Sequence, residues 1–465
     1  MKKKWILLIA LFLFGLTTQT GWADDLDELD SLSDSATEEL ESDDLSEDTD
    51  EDSDEMEEDS SDPKISFGGY IKLLGYWNQE KYSDLLWGMY QGYPTKPPAQ
   101  DISGFNNIGT RLQLKIEGYL GEHARLFTAI NVNYNTVDSI HNTDATANNA
   151  EKQNAEVRLV EAFVEIYEGS RIWKIGPQLV TWSYLEGMEV PTDRVNARDN
   201  SYKSTEYEDS KLPSTGVLLT QKIGDSQLEV MAIPVAKTNI GMEFQDYLYP
   251  GATEYPAANP NQTKWATRFS GTVGKLDVAV SYVEGIDPDA DLSADMTGRA
   301  YNRTKSPGLD LQYNLGSWLA KLSWVSTITE DEDGSDPLIK NNWSKYVIGG
   351  EFTAGGSTFN IYAGQHAIED FDPNGATNFL VGQIRERTDF VSGHVNANFL
   401  TGDALNLVLM AANYWDEDGE SVQSIVRGTF NYKIADGLNF LVGTSYMDML
   451  DNQFTDVQTE VKYSF

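Results

Sequence analysis

From Lys64 to the last residue, segments of about ten to fifteen residues alternate apolar and polar side chains, and this pattern most restricts the fold. The final segment is the clearest case, because Val457, Val461 and Phe465 fall on one face and Asp456 and Glu460 on the other. A period of two is typical of a β-strand whose two faces meet different surroundings. The sequence therefore predicts an all-β fold of two-faced strands.

The connections between these segments alternate in length. Eight short turns are marked by glycine, at Gly121, Gly169, Gly224, Gly274, Gly316, Gly355, Gly402 and Gly437. Most connections between them are longer and polar, as in Gln79–Phe105 and Ser183–Lys211. Tight turns at one end and long loops at the other are typical of transmembrane antiparallel β-barrels. Counting hairpins predicts about 18 strands, with about 16 as the next choice.

Aromatic residues collect near both predicted ends of the strands. The predicted loop ends carry Trp77, Trp182, Tyr282, Trp343, Trp415 and Tyr446, and the turn ends carry Tyr119, Tyr167, Trp318, Tyr432, Tyr463 and Phe465. Two such levels resemble the aromatic girdles at membrane interfaces. Lipid offers no partners to the edge of an open sheet, so the barrel must close. Side chains alone cannot fill so wide a barrel, which predicts an aqueous channel.

The N-terminal region predicts export and an unusual acidic segment. Residues 1–23 combine three lysines, an apolar run and a small residue at Ala23, so we predict a secretory signal peptide. Residues 24–62 hold 22 acidic residues and no basic one, which predicts a disordered arm. The arm could act as a periplasmic tether, a cation sponge, a charged plug or a solvated tail. Residues 63–465 are the predicted barrel.

Composition excludes several classes of function. The net charge of −40 argues against a nucleic-acid partner. The chain has no cysteine, and its four histidines are scattered, so we expect neither a metal site nor a cofactor. Three acidic loop tips, at 287–291, 331–334 and 416–419, suggest calcium, but Leu292 stands where an EF-hand needs glycine. Two interpretations of these tips stay open. They bridge loosely to lipopolysaccharide through divalent cations, or they are solvated loops without a ligand. No hydrolase, zinc-protease or P-loop motif occurs, so we do not expect an enzyme.

Two stretches resemble a known group of proteins. Residues 173–182 contain a Gly-x-Gln-x-Val-x-Trp core, and residues 193–199 form an Asn-x-Arg-Asp loop, with 158–163 just before them. Together they resemble a largely uncharacterised group of Gram-negative outer-membrane porin-like barrels, although Pro177 and Ala197 depart from its usual arginine and proline. The resemblance implies a porin-type fold, passive transport and an outer-membrane location. Val461, Tyr463 and Phe465 resemble the C-terminal signature read by the barrel-assembly machinery.

The third long loop, Ser183–Lys211, is the predicted constriction. In many porins the third external loop folds into the barrel and sets its bore, and a loop that stays outside is the open alternative. The candidate constriction residues are Glu186, Glu189, Asp193, Arg194, Arg198 and Asp199. Opposed charges there would sort solutes by charge and dipole. Arg111, Lys115 and Glu117 are predicted to line the wall.

The function predicted from the sequence is a passive channel for small hydrophilic solutes, with a mild cation preference. The alternative is an outer-membrane adhesin or structural anchor whose acidic arm acts as a periplasmic tether. An outer-membrane hydrolase is a third hypothesis, which needs an acid, a base and a nucleophile near the external rim. The expected partners are outer-membrane lipid, lipopolysaccharide, the assembly machinery and the solutes. The identity of the solute and a homo-oligomeric state stay open.

Overall fold

The computed structural model describes residues 64–78, 104–135, 155–186, 190–199, 210–240, 262–294, 296, 298–373, 375, 381–383, 385–399, 404–449 and 452–465. The predicted signal peptide and acidic arm lie outside the described residues. No helix in the described part of the chain is long and apolar enough to cross a membrane.

The described residues form twenty β-strands. The first nine are β1 Lys64–Asn78, β2 Gly104–Leu120, β3 Ala124–Asn135, β4 Ala155–Glu168, β5 Arg171–Gln178, β6 Ser214–Ile223, β7 Ser226–Ile233, β8 Lys264–Val273 and β9 Leu276–Ile286. The remainder are β10 Asp291–Leu292, β11 Arg299–Ala300, β12 Arg303–Asn314, β13 Trp318–Thr327, β14 Trp343–Ala354, β15 Ser357–Ile368, β16 Arg387–Phe399, β17 Leu405–Asp416, β18 Ser421–Ala435, β19 Leu438–Met449 and β20 Asn452–Ser464.

Eighteen of these strands form one closed antiparallel sheet. Each strand pairs with the next, β9 pairs with β12, and β20 pairs back onto β1 with Ile71 opposite Tyr463. The two-residue strands β10 and β11 form a separate hairpin in the loop between β9 and β12. The predicted antiparallel barrel of about 18 strands is therefore confirmed.

The two faces of the wall differ in polarity. On β1, Ile71 and Leu73 are 44% and 52% exposed, whereas Lys72 between them is 1% exposed. On β20, Val461 is 36% exposed and Glu460 is 2% exposed. Lys72 and Glu460 also meet each other, at 3.0 Å, across the seam that closes the barrel. The outer face is therefore apolar and suits lipid, and the polar face looks inward.

Short turns connect the strands at one end of the barrel, which we call the turn end. Seven of the eight predicted glycine turns lie in the described residues, and the eighth, at Gly402, lies outside them. Between β4 and β5 only two residues make the connection, and Gly169 adopts a φ of 59° that glycine accepts without strain. The longer connections lie at the opposite end, the loop end.

Four members of the predicted aromatic girdle are placed elsewhere. Trp182 is 2% exposed and packs inside an apolar cluster. Trp343 shares the inward row of β14 with Val347, which is 0% exposed. Tyr119 and Tyr167 share the inward rows of Glu117 and Glu165, to which their hydroxyls donate at 2.6 and 2.8 Å. The girdle prediction is wrong for these four residues, because Trp182 lies off the wall and the other three face inward. Tyr282 and Tyr446, at 40% and 37% exposure, remain on the outer surface.

Candidate functional site

The inner loop, residues 179–213, connects β5 to β6 and is described for 179–186, 190–199 and 210–213. At the end of β5, the side-chain amide of Gln178 donates to the backbone oxygen of Gly216 at 3.4 Å. The next N–H, of Leu179, donates to the carboxylate of Glu161 at 2.8 Å. Side chains thus replace the strand-to-strand hydrogen bonds. The strand expected to run to Trp182 therefore ends at Gln178.

One apolar cluster holds the inner loop against four consecutive strands. Val180, Trp182 and Val195 of the loop pack with inward residues of β6 to β9, namely Leu218, Met231, Ile233, Ala266 and Val283. Each of the eight is 8% exposed or less. Burying a large apolar side chain stabilises a fold by about 1.5–3 kcal/mol. This cluster therefore fixes the loop on one side of the interior.

A second apolar cluster holds the loop farther round the wall. Leu185 packs with Val347 on β14, Tyr362 on β15 and Phe390 on β16, and Val190 and Tyr414 of β17 pack against this cluster. Thr192 lies against the wall at β13, with its hydroxyl oxygen 3.5 Å from that of Ser323. The contacts therefore place the inner loop inside the barrel, along inward faces between β6 and β17.

Asn196 joins the middle of the inner loop to both of its ends. Its Oδ1 accepts the N–H of Val180 at 2.8 Å. Its Nδ2 donates to the carbonyls of Leu212 and Gln178 at 2.8 and 3.2 Å, and lies 3.2 Å from the hydroxyl of Ser214. Asn196 is only 5% exposed, so water replaces these bonds poorly. This one side chain fixes the folded shape of the loop.

Ion pairs hold the polar side of the inner loop. The Asp193 carboxylate lies 3.0 Å from Arg198 and 2.9 Å from Lys211. Asp199 lies 2.7 Å from Arg158 of β4. Both carboxylates are 2% exposed, so each attraction acts in a medium of low dielectric. The charges are therefore held in fixed positions.

Replacing Arg158 by alanine should weaken the attachment of the inner loop to the barrel wall by about 3 kcal/mol, because it removes a partner of the buried Asp199 carboxylate. Urea titration of the folded barrel in detergent measures the change. Arg387→Ala is the matched control. Arg387 pairs with Asp389 at 3.2 Å, and their side chains are 42% and 38% exposed. Exposed pairs contribute about 0–1 kcal/mol. Equal losses for the two variants would contradict the role given to Arg158.

Arg194 points toward a different part of the wall. Its guanidinium lies 5.0 Å from the ring centre of Trp343 and 3.5 Å from the carboxylate of Asp287. Lys264, at the loop end of β8, donates to the backbone oxygens of Arg194 and Val195 at 2.8 and 3.1 Å. The backbone of the loop is thus fixed at the residue whose side chain reaches β14.

Of the six candidate constriction residues, the structure pairs Asp193 with Arg198, whereas Asp199 pairs with Arg158 of β4 and Arg194 with Asp287. Glu186 lies apart from them, beside Tyr362 and the second apolar cluster. Glu189 lies outside the described residues.

The candidate wall residues share the inward row of β2. The Nε of Arg111 donates to the side-chain oxygen of Asn133 at 2.7 Å. The Glu117 carboxylate accepts from Arg125 at 2.7 Å. Lys115 is exposed in the same row.

The first acidic tip is neutralised by the chain itself. Asp287 pairs with Arg194, and Asp291 lies 3.4 Å from Lys340. Burial alone would lower the pKa of Lys340, but Asp291 and its acidic neighbours raise the pKa overall. Among the described residues, no group of three or more His, Asp or Glu is arranged to hold a metal ion.

Of the three residues of the proposed assembly signature, Val461 and Tyr463 lie on the outer face of β20 and Phe465 directly follows the strand. Val461, Tyr463 and Phe465 are 36%, 49% and 53% exposed. The backbone N–H and C=O of Phe465 both bond to Gly69 of β1, at 3.1 Å each. The end of the chain is thus paired at the seam.

Sequence reasoning missed three residues that hold the loop, namely Arg158, Lys264 and Asn196. Arg158 and Lys264 lie at the loop end of inward rows. A basic side chain at such a position indicates a contact with a loop inside the barrel. Asn196 was visible only as part of a motif. Its partners cannot be read from the local pattern, because they come from both ends of the loop.

Comparison with known proteins bears on the fold. No protein-family model matches the chain, and no curated protein matches its sequence. Solved structures do match: the outer membrane protein OpdK of Pseudomonas aeruginosa has 10% identity and a TM-score of 0.52, covering 86% of this chain and 98% of OpdK. A BenF-like porin from Pseudomonas fluorescens Pf-5 has 11% identity and a TM-score of 0.55, with the same coverages. OpdK with vanillate has 10% identity and a TM-score of 0.51, again with the same coverages.

The chain has the fold of an outer-membrane porin. The predicted porin-type barrel is confirmed by this likeness and by the closed sheet. A closed barrel with an apolar outer face belongs in a membrane, in agreement with the predicted outer-membrane location.

Proposed function

We propose that the chain is a porin-like channel of the outer membrane, through which small hydrophilic solutes diffuse passively. The observation that carries the proposal is the inner loop held inside a closed barrel of 18 strands. A barrel of this width encloses more space than its wall side chains fill. A loop anchored at two places on the wall narrows that space without moving aside. The result is a selective passage for small molecules.

The charged residues of the inner loop are proposed to form the constriction. Asp193 and Asp199 face Arg198, Lys211 and Arg158 at 2.7 to 3.0 Å. Carboxylates and cations side by side produce a strong local field in a narrow passage. Arg111, Lys115 and Glu117 are proposed to line the wall below it. Neutral polar solutes then pass more easily than large ions.

Reconstitution in planar lipid bilayers tests the channel. The purified chain is expected to give discrete, ohmic conductance steps, and the same protein unfolded in urea is the control. A second preparation lacks residues 184–210, joined by a short glycine–serine linker. Larger steps are expected for it, since the constriction is gone. Absence of steps from the intact, folded chain would exclude a channel.

A mild cation preference is part of the proposal, supported by the net charge of −40. A tenfold gradient of potassium chloride across the bilayer should give a reversal potential with the sign of a cation-selective channel. The shift should be small, because charges of both signs pair on the described inner wall. A reversal potential of the opposite sign would refute the preference.

Lipid and lipopolysaccharide are the proposed surroundings of the outer face, and the barrel-assembly machinery is the proposed reader of Val461, Tyr463 and Phe465. Phe465→Ser should lower the amount of folded barrel in the outer membrane, measured by fractionation and immunoblotting. Phe399→Ser is the matched control, since Phe399 is also exposed, at 47%, but lies at the end of β16 and outside the C-terminal strand. Equal amounts of both variants would argue against an assembly role for Phe465.

A further inference from the structure

Strand β17 departs from the two-faced pattern of the barrel. Phe390 of β16 contacts Leu185 of the inner loop and therefore faces inward. Tyr414 of β17 lies opposite Phe390, so it belongs to the inward row of β17. Alternation then places Val408 and Met410 on the same inward face. The outward residues of this strand, such as Leu407 and Leu409, are apolar as well. Inward faces of a water-filled barrel are usually polar, so the apolar inner face of β17 needs an explanation.

The apolar surface continues across two neighbouring strands. Ile425 of β18 lies opposite Ala412 of β17, and Met447 of β19 lies opposite Ile425. We call Val408, Met410, Ile425 and Met447 the apolar patch. All four side chains are partly exposed. The patch begins where the second apolar cluster of the inner loop ends, at Tyr414. We expect a solute that passes Leu185 and Val190 of the inner loop to meet this patch.

Two opposite charges lie beside the patch. Met410 is opposite Arg427, and Arg427, Ser445 and Asp456 form one row across β18, β19 and β20. Arg427 and Asp456 attract each other, and the Ser445 hydroxyl donates to the Asp456 carboxylate. A solute with one net charge is attracted by one of this pair and repelled by the other. A zwitterion can place its ammonium at Asp456 and its carboxylate at Arg427.

We infer that the apolar patch and the adjoining Arg427–Asp456 pair form a recognition site for small zwitterions with an apolar side chain, that is, apolar amino acids such as leucine. The inference rests on the proposed function and gives it a substrate class. The apolar side chain of the solute covers the patch and removes it from water. The two charges of the solute meet the charge pair. Apolar inward residues elsewhere, such as Met231 and Val347, are covered by the inner loop, whereas the apolar patch is partly exposed, so the site is local to β17–β20.

Blocking of single-channel current tests the site. The solutes are leucine, serine, 4-methylpentanoate and 3-methylbutylamine, of which the last two each lack one charge of leucine. Leucine is expected to block for longer than the other three. The double variant Met410→Gln, Ile425→Thr lowers the apolar area of the patch; the first change nearly keeps the side-chain size, and the second shortens the side chain by one heavy atom. It should shorten the leucine blocks by about fivefold.

Ile172→Thr is the matched control. Ile172 lies on the inward row of β5 with Lys174, away from the patch, and its variant should leave leucine block times as they are. Equal block times for leucine and serine in the unaltered chain would overturn the site, and this comparison needs no variant to fold. Longer blocks by 4-methylpentanoate than by leucine would also overturn it, in favour of an anion site. In both cases the conductance steps remain, whereas a loss of all steps would count against the proposed function itself.

Discussion

Replacing Trp182 by alanine should free the start of the inner loop and raise the single-channel conductance. Trp182 is 2% exposed and packs with seven other residues of the first apolar cluster. Truncation of a buried tryptophan costs about 3–5 kcal/mol, through lost burial and the cavity left behind. The strands of the wall keep their own hydrogen bonds, so the substitution mainly destabilises the packing of the inner loop and not the barrel. The expected record has larger steps with added current noise, and the closed barrel persists.

Trp265→Ala is the matched control for this experiment. Trp265 precedes Ala266 of the same cluster, but it is 51% exposed on the outer face of β8. Its loss should leave the conductance close to that of the unaltered chain. An unchanged conductance in Trp182→Ala, with the variant shown to be folded, would mean that the loop does not limit the channel.

Replacing Asn196 by alanine should have an effect of similar size for a different reason. The change leaves the N–H of Val180 and the carbonyl of Leu212 without their bonds at 2.8 Å. Each buried group left unpaired costs about 1–3 kcal/mol, so the loop loses several kcal/mol. Limited trypsin digestion of the reconstituted barrel should then cut at Arg198 or Lys211, which are held by ion pairs in the unaltered chain.

Asn302→Ala is the control for Asn196. The Asn302 side chain donates one bond of 3.0 Å to Asp291, in the loop that follows β9. Its variant should show the digestion pattern of the unaltered chain. If Asn196→Ala resisted trypsin to the same degree, the hydrogen bonds of Asn196 would not be what holds the loop.

The barrel could be predicted from the sequence because its signals are local. A period of two fixes which side chains share a face, and glycine turns repeat at one end of each hairpin. Both signals need only neighbouring residues, as in the row Val457, Val461 and Phe465. The number of strands then follows from the alternation of short turns and long loops.

The interior could not be predicted in the same way. Leu185 meets Phe390, and Arg158 meets Asp199, through contacts that join distant parts of the chain. Trp182 was assigned to a girdle because the pattern gives no sign that the strand stops at Gln178. There a side-chain amide and the Glu161 carboxylate take over the backbone bonds. The candidate loop was thus predictable as a charged segment, while its anchors required the structure.

A channel through this barrel requires one arrangement above all, in which polar rows of the strands face water and apolar rows face lipid. The chain has no cysteine, so single cysteines introduced along β16 report this directly. In liposomes, a membrane-impermeant maleimide should label Ser392→Cys and Asn396→Cys but not Val391→Cys or Val395→Cys. When each cysteine instead carries a fluorophore attached before reconstitution, a lipid-soluble quencher should reduce the fluorescence at the two valine positions more than at the other two. Equal labelling of both rows, or labelling of the valine row alone, would contradict the account.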